Sequence, residues 1–162
     1  MNLIVVVDNQ WGIGCNNGLL FSLKKDMAFF RSQTTGKTVV MGERTLASFP
    51  NGPLPNRINI VLDASGAKHE GTISVDTLDK LLELLKEYDT DDVYVIGGAS
   101  VYRLLLNYCK TAYVTKVDAC GNAQLFFPDL DSLPNWKQTE QSAEIDDGDY
   151  KIRFCKYVNC AI

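Results

Sequence analysis

Little in this chain is suited to holding a metal. Its 162 residues contain one histidine and five cysteines, Cys15, Cys109, Cys120, Cys155 and Cys160. The cysteines are odd in number and never fall into a CxxC pair, so a zinc site would need several of them at spacings that do not close around an ion. Such a set reads as free thiols kept reduced, which points to a cytoplasmic protein. Long apolar runs are also missing, and none approaches the ~20 residues that a membrane helix needs. The opening "MNLIVVVDNQWG" has no basic residue ahead of its apolar run, and that run is five residues long. It reads as a first β-strand rather than a leader. Nor is there a basic block: 16 Lys and Arg face 20 Asp and Glu, for a net charge of −4. That balance argues against a nucleic-acid or polybasic membrane partner.

What is present is ordinary globular composition, 46% hydrophobic and 22% charged. A chain of this size suits one domain over residues 1–162, able to bury roughly two thirds of its unfolded surface. No repeat, low-complexity tract or linker interrupts it. Leu3 to Val7 is a continuous β-branched run, hence a buried strand. "DNQWGIGCNNG" reads as a loop. A helix follows from near Leu23, with Ser22 as its N-cap and Gly36 in the left-handed position at its end. "TVVM", "INIVLD" and "GTISV" read as strands, and Glu43 to Ser48 as a short helix. Asp76 opens the clearest helix, "DTLDKLLELLKEY", with Asp79 at capping-box spacing and Leu78, Leu81, Leu82 and Leu85 in one stripe. "DDVYVIGG" is a buried strand, "ASVYRLLLNY" a helix and "TAYVTKVDA" a strand. "YKIRFCKYV" alternates, as an antiparallel edge or hairpin partner does. Helices between apolar strands predict an α/β fold: a single domain with a mostly parallel central sheet, helices on both faces and an antiparallel C-terminal edge.

Two strands run through glycine directly into helices, at "VVMGERT" and "YVIGGASVY". The amides of a helix N-terminus favour a phosphate. Gly42 would let such a ligand approach, Arg44 and Thr45 offer a charged fork and a hydroxyl, and Gly97 and Gly98 present no Cβ. The plain alternative is that these glycines end strands tightly. Neither junction is a GxGxxG or GxxxxGK[ST] motif.

The most informative stretch is "GLLFSLKKDMAFFR". At about 100° per residue, Leu23, Met27, Phe30 and Thr34 form one stripe, and Asp26 lies about 60° to one side of it, beside Phe29 and Phe30. Lys24 and Lys25 point elsewhere, and neither stands three or four residues from Asp26, so neither is its helical partner. Periodicity leaves two readings open. Asp26 is a boundary carboxylate balancing the helix dipole, or it is a partly buried anion awaiting a cationic or donor-rich ligand.

Taken together, "GIGCNNGLL", "LKKDMAFFR", "GKTVVMGERT", "PLPNRINIVL", "VIGGASVY", "VTKVDA" and "FFPD", in this order and spacing, resemble dihydrofolate reductase in its short bacterial form. The resemblance runs essentially end to end. It implies hydride transfer from NADPH to C6 of dihydrofolate, with N5 protonated and tetrahydrofolate as product; NADH enters as the alternative cofactor only through this chain's departures from the family pattern. It implies that Asp26 clamps the pterin's 2-amino group and N3, with Thr115 beside it. Ile4, Val5, Met27, Phe30, Phe49, Leu54 and Ile96 would line the substrate, and Arg57 would pair with the glutamate tail. Leu19 and Phe21 would border the reaction. Val6, Ile13, Gly14, Leu19, Gly42, Arg44, Thr45, Leu62, Asp63, Gly97, Gly98, Ala99, Ser100, Val101 and Tyr102 would surround the cofactor. A cytoplasmic monomer that binds antifolates, and neither nucleic acid nor membrane, completes the expectation.

The chain departs from that pattern in places. Leu20-Phe21 stands where Pro-Trp is usual, removing a donor to an active-site water. Lys24 replaces a proline. Glu43, Asp63, Ala64 and Ser100 weaken the expected 2′-phosphate pocket, and Asp63 would suit a free ribose hydroxyl. Ala123-Gln124-Leu125 replaces Gly-Asp-Thr in the loop that supports closure of Gly14 to Leu19. Rival readings are the related pyrimidine reductase of riboflavin synthesis, which has no glutamate tail to bind, and a non-catalytic nucleotide- or folate-binding protein.

Overall fold

The computed structural model describes residues 1–15 and 18–162; Asn16 and Asn17, inside the glycine-rich loop, lie outside the described residues. The chain runs β1 (Asn2–Val7), β2 (Gly12–Gly14), α1 (Lys24–Thr34), β3 (Thr38–Gly42), α2 (Glu43–Ser48), β4 (Ile58–Leu62) and β5 (Ile73–Val75). It continues α3 (Leu78–Leu85), β6 (Val93–Gly97), α4 (Ala99–Leu105), β7 (Thr111–Val117), β8 (Leu125–Phe126), β9 (Trp136–Gln141), β10 (Ile145–Asp147) and β11 (Tyr150–Asn159). Nine of these strands form one sheet in the order β10-β11-β7-β1-β6-β3-β4-β5, with β9 also on β11. From β7 to β5 the pairing is parallel. β11 runs antiparallel to β7, β9 and β10. The predicted mostly parallel sheet with an antiparallel C-terminal side is therefore what forms.

The unbroken apolar runs follow from burial on both faces of the sheet. In β1, Leu3, Val5 and Val7 pack with Leu81 and Leu85 of α3 and Val101 and Leu105 of α4. Ile4 points the other way, into a cluster with Val39, Met41, Val61, Phe29, Phe30 and Leu46. Fully buried side chains of this kind each contribute about 1.5–3 kcal/mol. β11 is likewise buried on both faces: Tyr150, Ile152 and Phe154 enter one cluster, Cys155 and Tyr157 another.

Three local expectations are corrected. The helix after Asp76 begins at Leu78 with Thr77 as N-cap, its side chain accepting from the Lys80 amide. Asp76 instead pairs with the Lys80 ammonium at 2.9 Å, one turn on. α1 is not capped by Ser22; Leu23 precedes the helix in extended conformation without a side-chain cap. The missing acceptor comes from 121–122 residues away, since Oδ2 of Asp147 takes the amides of Lys25 and Asp26. Finally, Gly12 to Gly14 is not loop but a short strand antiparallel to β8.

The strands of a parallel sheet deliver their C-terminal ends to one edge. Here β3 ends at Gly42, β4 at Leu62 and β6 at Gly97, side by side. Ligands bind outside that edge in open α/β sheets.

Candidate active site

Asp26 sits in the first turn of α1 and is half-buried. Its Oδ1 accepts the hydroxyl of Thr115 at 2.7 Å. Thr115 lies in β7, is almost wholly inaccessible and is paired with Val6 of β1. Burial pushes the Asp26 carboxyl up from its ordinary range to about 6; the Thr115 bond opposes this, and the nearby Asp147 adds to it. Neither preceding lysine partners it, as the helical spacing predicted. Lys25 reaches instead to the backbone carbonyl of Asp146 at 2.6 Å. The group is thus a half-buried acid with one neutral donor and, among the described residues, no cation paired with it, an arrangement that leaves room for a donor-rich ligand.

Apolar side chains collect beside it. Ile4, Phe30, Phe49, Leu54 and Ile96 belong to one cluster. Met27 is half-exposed at its rim. The Val5 side chain faces the opposite side of the sheet, among α3 and α4. Phe21 packs edge-on against Tyr150 at 4.7 Å, in a separate cluster with Leu23 and Val6. At the far end of α1, Arg57 is fixed by two bonds, from Nη1 to Thr34 Oγ1 and from Nε to the Pro55 carbonyl. Burial and the neighbouring Arg31 both push its proton affinity down, the signature of a cation short of anionic company. An anion arriving there would relieve both costs.

At the sheet's C-terminal edge, Gly42 caps α2 and Gly98 caps α4. A Cβ on Gly42 would come within 3.1 Å of Val101. Gly97 has φ +130°, and Cβ atoms on Gly97 or Gly98 would touch the Thr45 hydroxyl at 3.4 and 3.5 Å. The Gly97–Gly98 peptide is cis. Tyr102 is buried behind this turn and donates its hydroxyl to the Ile4 carbonyl at 2.7 Å. The two glycine junctions, Thr45, Val101 and Tyr102 are thus brought together. Arg44 and Ser100 lie exposed beside them. Asp63, just past β4, is committed elsewhere: Oδ1 accepts the Ser65 amide and hydroxyl, and Oδ2 meets His69 Nε2 at 2.8 Å. Those bonds hold its carboxyl below the usual range. Its carboxylate thus holds the turn that follows β4.

The loop before α1 is tied to the segment 119–127 rather than to the site. Leu19 is 80% exposed. Ile13 packs against the main core from the short strand β2. Asp8 is buried at the root of the loop, where its Oδ1 accepts the amides of Gln10 and Gly12 and its Oδ2 that of Gly121. Nothing in the sequence pattern marks Asp8, Asp147 or His69. A lone Asp in a turn segment carries no spacing signal, and only the fold reveals what it holds.

Two comparisons decide the family. The sequence profile described as "Dihydrofolate reductase" matches residues 1–159. The chain belongs to the dihydrofolate reductase family. It is 33% identical over 155 residues to the dihydrofolate reductase of Buchnera aphidicola subsp. Schizaphis graminum, covering 96% of this chain and 95% of that one. It is 34% identical over 159 residues to "Dihydrofolate reductase type 3" of Salmonella typhimurium, covering 98% and 95%. Among solved structures, dihydrofolate reductase from Enterococcus faecalis, complexed with NADP(H) and RAB-propyl, matches with a TM-score of 0.87 at 27% identity. That match spans 98% of this chain and 95% of the other. The protein is accordingly an oxidoreductase of folate metabolism.

No helix is long and apolar enough to cross a membrane among the described residues.

Proposed function

We propose that the protein reduces 7,8-dihydrofolate to tetrahydrofolate, with NADPH as hydride donor to C6 and a proton delivered to N5. The observation that carries this reading is the half-buried Asp26 carboxyl, bonded to Thr115 and, among the described residues, without a paired cation. A carboxylate presents two acceptors to the adjacent N–H donors of a 2-aminopterin edge, a bidentate match. Ile4, Phe30, Phe49, Leu54 and Ile96 then wall the ring system and the benzoyl group. Arg57 takes the α-carboxylate of the glutamate tail, which supports a folate over the ribosylated pyrimidine of the related riboflavin enzyme.

The glycine edge fits a dinucleotide. Gly42, Gly97 and Gly98 present no side chain to a ligand; a Cβ on Gly42 would press on Val101, and Gly97 has a φ of +130° that side chains rarely adopt. Gly42, Arg44 and Thr45 would hold one part of the diphosphate and Gly97 to Tyr102 the other, with Leu62 beside the adenosine. When bound there, NADPH supplies the hydride from its C4. Tyr102 and Ile4 fix the floor on which the nicotinamide and pterin meet, and the apolar walls exclude water from between the rings.

Asp26 acts as an orienting and electrostatic group. Reduction consumes one proton at N5, which lies away from the clamped edge of the ring, so water delivers it. The carboxylate favours the positive charge that develops as N5 is protonated. Asp26 and the bound pterin titrate as a pair that shares this proton. The reactive complex carries it, so hydride transfer slows as pH rises past the pair's midpoint. We further propose a cytoplasmic monomer, sensitive to antifolates that place a cationic diaminopyrimidine against Asp26.

The test is loss of absorbance at 340 nm with NADPH and dihydrofolate, repeated with NADH and with the riboflavin-pathway substrate. Turnover with dihydrofolate, faster with NADPH, is expected. Binding of both ligands without turnover would leave a folate- and nucleotide-binding protein and remove the enzyme reading.

A further inference from the structure

Asp147 ends β10, and its side chain is almost entirely buried, with 4% exposure. Its Oδ2 accepts the Lys25 amide at 2.9 Å and the Asp26 amide at 3.2 Å. The neighbouring cations are engaged elsewhere. Lys25 donates to the Asp146 carbonyl, and Lys151 pairs with Glu144 and Asp146. A carboxylate in the first turn of a helix is ordinarily favoured by the free amides there. Asp26 is denied that help, because a second acid already occupies two of them. We propose that Asp147 is a positioning residue that adds to the proton affinity burial gives Asp26, withdrawing the helix amides from it and placing a second negative charge beside it.

The other groups around Asp26 do not supply this effect. Thr115 of β7 donates a hydrogen bond, which favours the anion. Tyr102 of α4 keeps its proton, pushed up by burial, and donates to Ile4. Lys24 and Lys25 on α1 are exposed, and Asp146 of β10 lies at the surface. Asp147 is the buried charge facing Asp26. The consequence is functional under the reading of Asp26 as the pterin clamp, on which this inference rests. An acid that takes up a proton near neutrality keeps the Asp26–pterin pair protonated at the pH where hydride transfer must run.

The experiment uses Asp147→Asn, in which the amide oxygen accepts the same two backbone donors without the charge. The Asp26 carboxyl carbon is titrated by ¹³C NMR in the ligand-free protein, with Asp26→Asn providing its assignment. The midpoint is expected to fall by about half a pH unit or more. A midpoint unchanged or raised, in a folded variant, overturns the proposal. Asp147→Ser, a shorter neutral acceptor, must lower the midpoint too, and serves alone where Asn does not fold. The same variants are then followed by single-turnover hydride transfer, where the pH fall-off moves down equally and the rate above it drops about threefold. A shifted titration with an unmoved rate profile supports the tuning and removes the clamp.

Discussion

Thr115 donates its hydroxyl to Asp26 across 2.7 Å, joining residues 89 positions apart in the chain. β7 supplies the donor and α1 the acceptor, and both lie at the antiparallel side of an otherwise parallel sheet. The bond favours the ionised carboxyl and opposes the effect of burial on it. Thr115→Val keeps the shape and removes the donor. A hydrogen bond to a charged group is worth about 1.5–3 kcal/mol, so kcat/KM for dihydrofolate is expected to fall tenfold or more. The loss should appear mainly in KM, because the carboxylate that remains binds the substrate less readily. An unchanged kcat/KM by steady-state assay would separate Thr115 from the site.

Asp26 also predicts a stability effect. Its carboxyl is raised from 3.8 to about 6 in the folded state. Between those values the folded protein binds more protons than the unfolded chain, so stability falls as pH rises through them. The penalty is absent below pH ~4 and complete above pH ~6. Asp26→Asn removes it, and the variant should be more stable than the parent at pH 8 by one to three kcal/mol, with no such advantage at pH 4. Urea unfolding at the two pH values reads this directly, while turnover at neutral pH is largely lost. Greater stability with lost turnover marks a group kept for chemistry rather than for the fold.

How much of this was legible beforehand divides along a physical line. The sheet was readable because both its faces are buried, so β1, β3 and β6 carry near-continuous apolar runs and β4 is broken only by the buried Asn59. Asp26 stood out because a charge beside Phe29 and Phe30 breaks the pattern of its helix, though periodicity alone could not say why. The resemblance placed Thr115 beside it, and the hydrogen bond between the two is a finding of the structure. Asp147 and Asp8 were not readable. Each works by accepting backbone amides, and amides carry no sequence signal. The cap of α1 illustrates the difference: local rules favoured Ser22, yet the acceptor that forms comes from β10.

Asp63 gives a third test, because its residue type and its geometry point to different roles. The residue type suits a ribose hydroxyl, but both oxygens are held by Ser65 and His69. Asp63→Ala is expected to loosen the turn after β4 and lower Tm by about 2–4 °C. The ratio of KM values for NADPH and NADH should stay within about threefold, since a committed carboxylate offers the ribose little. A large swing toward NADPH, without loss of Tm, would return Asp63 to the cofactor site.

The last prediction concerns the loop that precedes α1. Asp8 holds Gln10 and Gly12 with one oxygen and Gly121 with the other, at 2.7–2.9 Å. Asp8 thus ties the root of this loop to the segment 119–127. Space is as important as charge: a Cβ on Gly12 would fall 2.5 Å from the Ala123 Cβ and 2.7 Å from the Asp8 Oδ2. Asp8→Ala strands three amides and should destabilise the protein by about 2–3 kcal/mol or more. Asp8→Asn is the sharper probe. Its oxygen can keep Gln10 and Gly12, but its NH₂ group meets the Gly121 amide donor to donor. Hydrogen exchange should therefore accelerate at Gly121 while Gly12 stays protected. Gly12→Ala should expose both, because the added methyl pushes the 119–127 segment away. If Gly121 is equally protected in Asp8→Asn, the two segments are held by backbone pairing alone. In that case the bonds from Asn9 to Ala119, Gln124 to Gly14 and Phe127 to Trp11 suffice without the carboxylate.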